Sequence, residues 1–134
     1  MKHIVALFGE AEKGQFQKPY RLKDLGQLVD SLGNPPPESE GISFAVQSLL
    51  YKREIIYFRV EEEGFSASDY FHGFNHLLTE KGKEKKIHAL CLPGVGDEKI
   101  LTASAEICQL YKSFLITNQK DLYDYLTDGS QNLC

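Results

Sequence analysis

Short apolar runs alternate along the chain with segments whose apolar residues recur at helical spacing. The runs are rich in β-branched and aromatic residues and stop at glycine, proline or polar residues, which is typical of buried strands. They predict four strands, at residues 3–8, 54–60, 87–92 and 114–117.

Between these runs, apolar residues three and four positions apart predict amphipathic helices. Residues 66–69 and Asp97 have the chemistry of helix N-caps, and Gly33, followed by three prolines, predicts the end of the first helix. Residues 10–21 are predicted to form a polar loop, residues 121–126 a short closing helix and residues 128–134 a frayed tail. The predicted apolar stripes are Leu22, Leu25, Leu28, Val29 and Leu32 in the first helix, Ile42, Ala45, Val46, Leu49 and Leu50 in the second, Phe71, Phe74, Leu77 and Leu78 in the third, and Ile100, Ser104, Ile107, Cys108 and Tyr111 in the fourth.

The predicted elements follow the order β-α-α-β-α-β-α-β-α. Strands that alternate with helices favour a parallel sheet covered by helices on both faces, with right-handed crossovers. We therefore predict an α/β fold: a single Rossmann-like or flavodoxin-like three-layer domain with about four parallel strands.

Composition and charge indicate the class of protein but do not identify its function. The 134 residues include 42% hydrophobic and 25% charged residues and carry a formal net charge of −4. These values predict one globular domain, over residues 1–127, and a mildly acidic chain is unsuited to nucleic acid, which selects clustered Lys and Arg. No apolar segment is long enough for a signal peptide or a membrane span, so we expect a cytoplasmic protein without a membrane partner.

The three cysteines, Cys91, Cys108 and Cys134, are far apart in the sequence. An odd number of cysteines without close spacing indicates neither a disulfide framework nor a zinc site. We expect reduced thiols.

The loops that follow the predicted strands are the candidate ligand site, because ligands of open parallel sheets bind at the carboxyl ends of the strands. Glycine lets the backbone approach a ligand there, and a helix N-terminus offers N–H groups to a phosphate. Two alternatives oppose this interpretation: the glycines could serve only tight turns, and Asp97 would repel a phosphate. The predicted ligand-binding residues are Gly9, Glu10, Gly14, Pro93, Gly94, Gly96 and Asp97.

Several segments resemble the LOG-like Rossmannoid proteins, also described as lysine-decarboxylase-like. Residues 5–14 (VALFGEAEKG), Tyr20 and residues 25–33 (LGQLVDSLG) are similar to the first strand, turn, tyrosine and helix of that family. Residues 40–60 resemble its second helix and the following strand, and residues 92–96 (LPGVG) resemble its Pro-Gly-Gly-x-Gly-Thr phosphate loop. The resemblance implies a Rossmannoid fold and a nucleotide-derived ligand.

The chain departs from that family at residues on which the activity depends. The Gly-Ser of the first turn is Gly9-Glu10, and Val95 and Asp97 replace a glycine and the threonine of the phosphate loop. The family's catalytic glutamate falls near Ile100 or Leu101, and its Arg-Lys pair has no counterpart in residues 70–78. The departures imply that the phosphoribohydrolase activity is not retained.

Two groups of side chains have the chemistry of metal ligands. Asp69, His72 and His76 share one helix face and could bind a metal, but helical histidines more often have no such role. Residues 61–63 are three glutamates that could bind Mg²⁺ beside Glu10 and Asp97, but a solvated acidic turn is the favoured interpretation. We predict no metal site.

The sequence favours a small-molecule-binding module for a nucleotide-derived or phosphorylated ligand, without retained catalysis. The alternatives are an interaction or oligomerising scaffold and a nucleotide phosphoribohydrolase-like enzyme. Tyr123 and Tyr125 support the scaffold hypothesis, because residues two apart on a helix cannot both be buried. No catalytic residue or cofactor is identified.

Overall fold

The structure, a computed structural model, describes residues 3–79 and 86–132, with side-chain burial up to residue 127. Strands and helices alternate, which confirms the α/β class. The strands are β1 (Ile4–Gly9), β2 (Pro19–Leu22), β3 (Glu54–Arg59), β4 (Ala89–Cys91) and β5 (Phe114–Ile116). The helices are α1 (Leu25–Leu32), α2 (Gly41–Leu50), α3 (Ala67–Thr79), α4 (Glu98–Tyr111) and α5 (Gln119–Asn132).

The five strands form one mixed, mostly parallel sheet in the order β2-β3-β1-β4-β5. β1 pairs in parallel with β3 and β4, β4 pairs in parallel with β5, and β2 pairs antiparallel with β3. The chain leaves β1 toward one side of the sheet and, after β3, crosses to β4 on the other side. The connections therefore diverge at the carboxyl ends of β1 and β4, where ligands of open α/β sheets bind.

The strand β2 is a correction to the predicted loop at residues 10–21. Leu22, predicted to lie in the first helix, is the buried end of this strand. Helix α1 begins only after its N-cap residue, Asp24. The Asp24 Oδ1 accepts a hydrogen bond of 2.9 Å from the Gln27 N–H. Four residues that include Pro19 and Arg21 are too few and too polar to predict a strand from alternation. The backbone of β2 has its hydrogen-bond partners in β3, and the local sequence pattern does not reveal this pairing.

The buried apolar residues form two clusters, one on each face of the sheet. Alternate residues of β1 divide between them, with Val5 and Leu7 on one face and Ala6 and Phe8 on the other. The first cluster includes residues of α1, α2 and α5, and the second includes residues of α3 and α4. The side chains from Val5 to Phe8 in β1 are fully buried on both faces, which explains its unbroken apolar run.

Helix ends agree with the sequence better than helix faces do. Gly33 is the C-cap of α1 with φ of 77°, and Asp97 is the N-cap of α4, as predicted. The α4 stripe is buried except for half-buried Cys108. Leu25, Val29, Leu50 and Phe71 are instead exposed, and Tyr70 takes the buried position beside Phe71.

The last helix is longer than its apolar residues predict. It runs from Gln119 to Asn132, so residues 128–132, expected to be frayed, have helical backbone, while residues 133–134 lie outside the described residues. Tyr125 is buried and Tyr123 exposed, as their spacing requires. In the described part of the chain, no helix is long and apolar enough to cross a lipid bilayer.

Candidate functional site

The loops after β1, β3 and β4 contact one another at the carboxyl edge of the sheet. The Glu63 N–H donates a hydrogen bond of 3.0 Å to Glu10 Oε2, which joins the loops after β3 and β1. The next residue, Gly64, lies against the carbonyl of Gly94, so that a Cβ there would come within 2.5 Å of the Gly94 oxygen. The structure thus brings Gly9, Glu10 and the loop from Pro93 into one connected edge.

Glu63 is the organising side chain of this edge. Its Oε2 accepts hydrogen bonds from the N–H groups of Glu10 at 2.8 Å and Gly41 at 2.9 Å, and its Oε1 accepts one from Glu40 at 2.8 Å. Glu40 is the N-cap residue of α2 and Gly41 is its first residue, and the Glu40 side chain makes no capping hydrogen bond. A carboxylate of the chain therefore occupies the position at which a helix N-terminus attracts anions. The prediction of a solvated acidic turn is wrong for Glu63.

Burial and hydrogen bonding act in opposite directions on Glu63. Burial raises the pKa of its carboxyl above the ordinary value, and the three N–H donors from the loops and α2 counteract that rise without cancelling it. The nearby Glu10 carboxylate adds a smaller upward contribution. Glu63 is held in a place where its negative charge is costly and where its hydrogen bonds join three segments.

Gly9 and Gly41 bring the backbones of β1 and α2 into direct contact. A Cβ on Gly9 would lie 2.6 Å from the Gly41 Cα and 2.5 Å from the Tyr57 hydroxyl. The Tyr57 hydroxyl donates a hydrogen bond of 2.8 Å to the Glu10 carbonyl, and burial raises the pKa of this phenol. Gly9 is a predicted ligand residue, but the space beside it is filled by the protein itself.

Gly14 does not lie beside Gly9 but packs near the end of α1. With φ of 107°, it packs near Ser31, Leu32 and the Tyr20 hydroxyl, and its carbonyl accepts a hydrogen bond from Arg59 Nη1. Gly14 therefore shapes the turn between β1 and β2.

The loop from Pro93 to Asp97 is the open part of the edge. Pro93 and Val95 are buried and anchor it, whereas Gly94, with φ of 78°, and Gly96 have open space where a side chain would stand. Backbone hydrogen bonds connect Gly94 N–H to the Thr117 carbonyl and Val95 N–H to the Leu92 carbonyl. Both glycines, which are predicted ligand residues, are accessible to a ligand.

Asp97 occupies the N-terminus of α4 in the way that Glu63 occupies that of α2. Its Oδ1 accepts hydrogen bonds from the N–H groups of Lys99 at 2.7 Å and Ile100 at 3.2 Å. Six carboxyl groups lie in or directly beside the loops after β3 and β4, against two flanking cations, Arg59 and Lys99; the carboxyl groups are those of Glu10, Glu61, Glu62, Glu63, Asp97 and Glu98. The edge is therefore acidic, and two helix N-termini on it already have carboxylate partners.

The histidine hypothesis for a metal is not supported by the described residues. Across residues 3–79 and 86–132, no group of three or more His, Cys, Asp or Glu side chains is placed to hold a metal ion. Asp69 Oδ2 accepts a hydrogen bond of 2.8 Å from the Glu61 N–H, and the His76 ring packs edge-on against Phe58. Both side chains contribute to the packing of α3 against the sheet.

The two positions that the predicted resemblance aligns with the catalytic glutamate of LOG-like proteins are apolar. Ile100 is fully buried and Leu101 packs against the same apolar cluster. Neither position offers a carboxylate to the open loop.

The surroundings of the cysteine in the sheet make its thiol unreactive. Cys91 is fully buried in β4, and burial raises the pKa of its thiol. We expect iodoacetamide to leave Cys91 unmodified in the folded protein and to modify it in denaturant, as measured by peptide mass spectrometry. Rapid modification of Cys91 under native conditions would contradict this placement.

Of two surface grooves formed by the described residues, one lies away from the carboxyl edge, and the other includes Glu98 and so adjoins the N-terminus of α4. The first is lined by Lys23, Leu25, Leu50 and Arg53, and the second also by Phe71, Lys99 and Ala103. Neither contains a predicted ligand residue.

Sequence reasoning missed the residues that fill the edge, namely Tyr57, Glu63 and Tyr70, whose hydroxyl accepts a hydrogen bond of 2.8 Å from Gly64 N–H. The available signal was the glycine at position 41, where a predicted helix began. A glycine at a helix start can indicate close approach of another backbone.

No protein-family model matches the chain, and comparisons with curated proteins and with solved structures find no match. The resemblance to LOG-like proteins therefore stays a prediction.

Proposed function

We propose that the chain is a small-molecule-binding module of three-layer, Rossmann-like or flavodoxin-like architecture, and that it holds its ligand against the loop from Pro93 to Asp97. The observation that carries the proposal is the open space at Gly94 and Gly96, in a loop whose Pro93 and Val95 are buried. A loop anchored by two apolar side chains presents its backbone in a fixed position. Backbone presented in this way can contact a flat or polar ligand closely.

The position of the loop supports the same function. It follows β4, the strand beside β1 at which the connections of the sheet diverge, and this is where ligands of open α/β sheets bind. Gly64 and the loop after β3 contact Gly94 directly. A ligand at Gly94 would thus lie beside the segment that Glu63 holds in place.

The chemistry of the edge restricts the part of the ligand that faces it. Among nucleotide-derived or phosphorylated ligands, the phosphate is the group for which the edge is least suited, because Asp97 already accepts from two N–H groups of α4 and the neighbouring loops are acidic. We therefore propose that the base or sugar, rather than the phosphate, rests on Gly94 and Gly96.

A titration of the labelled protein followed by amide NMR tests this function. Nucleosides, the corresponding nucleoside monophosphates and sugar phosphates are added separately, and the Gly94 and Gly96 amides are followed. We expect a nucleoside to shift both signals at least as strongly as its monophosphate does. If none of these compounds perturbs the two amides, the proposed function is wrong.

A substitution at Gly96 provides the matched variant. Gly96 is surrounded by open space and lies outside the left-handed backbone region, so Gly96→Leu should leave the melting temperature nearly unchanged. We expect it to weaken ligand binding by about tenfold or more, because the side chain covers the contact surface. The control is Glu62→Gln, at an exposed position on the neighbouring loop, which should preserve affinity. Equal affinities for wild type and Gly96→Leu would contradict the assignment of the site.

An oligomerising or interaction scaffold is the second candidate function. It is supported by large apolar side chains that remain exposed on several elements, among them Tyr123 on α5 at 59%. Tyr123→Glu would dissociate an oligomer formed through α5. Tyr125 is unsuited to this test, because it is a core residue at 7% exposure.

A further inference from the structure

The two edges of the sheet differ in how they are protected. The β2 edge begins with Pro19 and carries Arg21, and Lys18 and Lys23 lie directly beside it. Proline and cations on an edge strand prevent pairing with another chain. The β5 edge has neither: residues 113–119 (SFLITNQ) contain no charged residue and no proline.

The outer side of β5 is apolar as well as unpaired. Phe114 is 58% exposed and Leu115 is 40% exposed, although both lie within a strand. In the sheet of the described residues, β5 is the last strand and β4 is its sole neighbour. An exposed apolar edge strand presents backbone groups and side chains ready to pair with another strand.

The backbone of β5 is arranged so that its middle residue faces outward. Phe114 N–H donates to the His88 carbonyl at 3.0 Å, and the Ile116 carbonyl accepts from Leu92 N–H at 2.8 Å, so both residues face β4. In a parallel ladder, alternate residues bond to the same neighbour. The N–H and C=O of Leu115 therefore point away from the sheet.

We propose that β5 pairs antiparallel with β5 of a second copy of this chain, about a two-fold axis at Leu115. In this register each Leu115 donates to and accepts from the other, and Phe114 of one copy lies opposite Ile116 of its partner. Phe114 already contacts the Tyr125 ring, at 5.6 Å between centroids, so its exposed side would cover the apolar end of the partner's sheet. The absence of charge in residues 113–119 means that no like charges meet across the axis.

This proposal is independent of the ligand site, and it narrows the scaffold function to one surface. The test is sedimentation velocity of the full chain in reducing buffer, at concentrations up to about 1 mM. We expect a reversible monomer–dimer equilibrium. Hydrogen exchange at the Leu115 amide should slow as the dimer forms, because that N–H becomes bonded only between copies.

Lysine substitutions identify the surface. Leu115→Lys places two cations opposite each other, and we expect it to weaken the dimer by at least about tenfold. Phe114→Lys should act in the same direction. Val29→Lys, at an exposed apolar position on α1 beside β2, adds the same charge far from β5 and should leave the dimer intact.

Three results would overturn the proposal: a wild-type chain that is monomeric at every concentration, a dimer that neither β5 substitution weakens, or a dimer that Val29→Lys weakens equally. If Tyr123→Glu alone dissociates the dimer, the scaffold function stands and the β5 interface is wrong. Ligand titration at Gly94 and Gly96 is unaffected by any of these outcomes.

Discussion

Gly9→Ala is expected to lower the free energy of unfolding by about 3 kcal/mol, the upper end of the usual cost of overpacking. The added methyl group would lie 2.6 Å from the Gly41 Cα and 2.5 Å from the Tyr57 hydroxyl. Backbone cannot rotate away as a surface side chain can, so either α2 shifts off β1 or the Tyr57 hydrogen bond to the Glu10 carbonyl breaks. Urea unfolding followed by circular dichroism measures the change.

The matched control is the same substitution at Gly96, where nothing lies within 4 Å of the added methyl group. Gly96→Ala should change the free energy of unfolding by less than about 1 kcal/mol, with a small gain possible from the reduced entropy of the unfolded chain. Equal effects of the two substitutions would show that the contact between β1 and α2 is looser than the structure has it.

Glu63→Gln is expected to destabilise the fold by about 1–3 kcal/mol at neutral pH. Glu63 Oε2 accepts two N–H groups and Oε1 accepts a third, whereas an amide has one acceptor oxygen. Even when that oxygen takes the two-donor position, the amide NH₂ faces the Glu40 N–H. Glu62→Gln on the same loop, at an exposed position, should change stability by less than about 0.5 kcal/mol.

The raised pKa of Glu63 adds a dependence on pH with a definite sign. The folded protein binds this proton more tightly than the unfolded chain does, so the stability linked to it is fully present below the ordinary value of 4.5. It is lost as the pH rises through the folded pKa. The free energy of unfolding of wild type minus that of Glu63→Gln should therefore fall as the pH rises above 4.5. A difference that rises over this range would mean that the three N–H donors outweigh burial.

Elements that follow a strong local signal could be predicted from the sequence. The unbroken apolar run of β1 results from burial on both faces, and the caps at Gly33 and Asp97 depend on the chemistry of single residues. The strand β2 could not be predicted, because its pairing partner is 33 or more positions away along the chain, as in the pair Leu22 and Ile55. Val29 and Phe71 have the helical spacing of core residues, and the sequence does not reveal that both are exposed among the described residues.

In the candidate site, too, some features could be predicted from the sequence and others could not. The glycine-bearing turn from Pro93 to Asp97, between a strand and a helix, was predicted. Glu63 was not, because three adjacent glutamates have the same composition whether they are solvated or one of them turns inward. Its direction is set by donors at positions 10, 40 and 41, which only the folded chain brings together.

The proline and cations along β2 also limit how large an assembly of this chain can become. A sheet open at both edges could add copies without end and form a fibre. In this sheet, the proline and cations of β2 disfavour pairing with another strand. A dimer joined through β5 would therefore have the protected edge strand β2 at both ends of its continuous sheet. Growth would stop at the pair, and association through this sheet would be self-terminating.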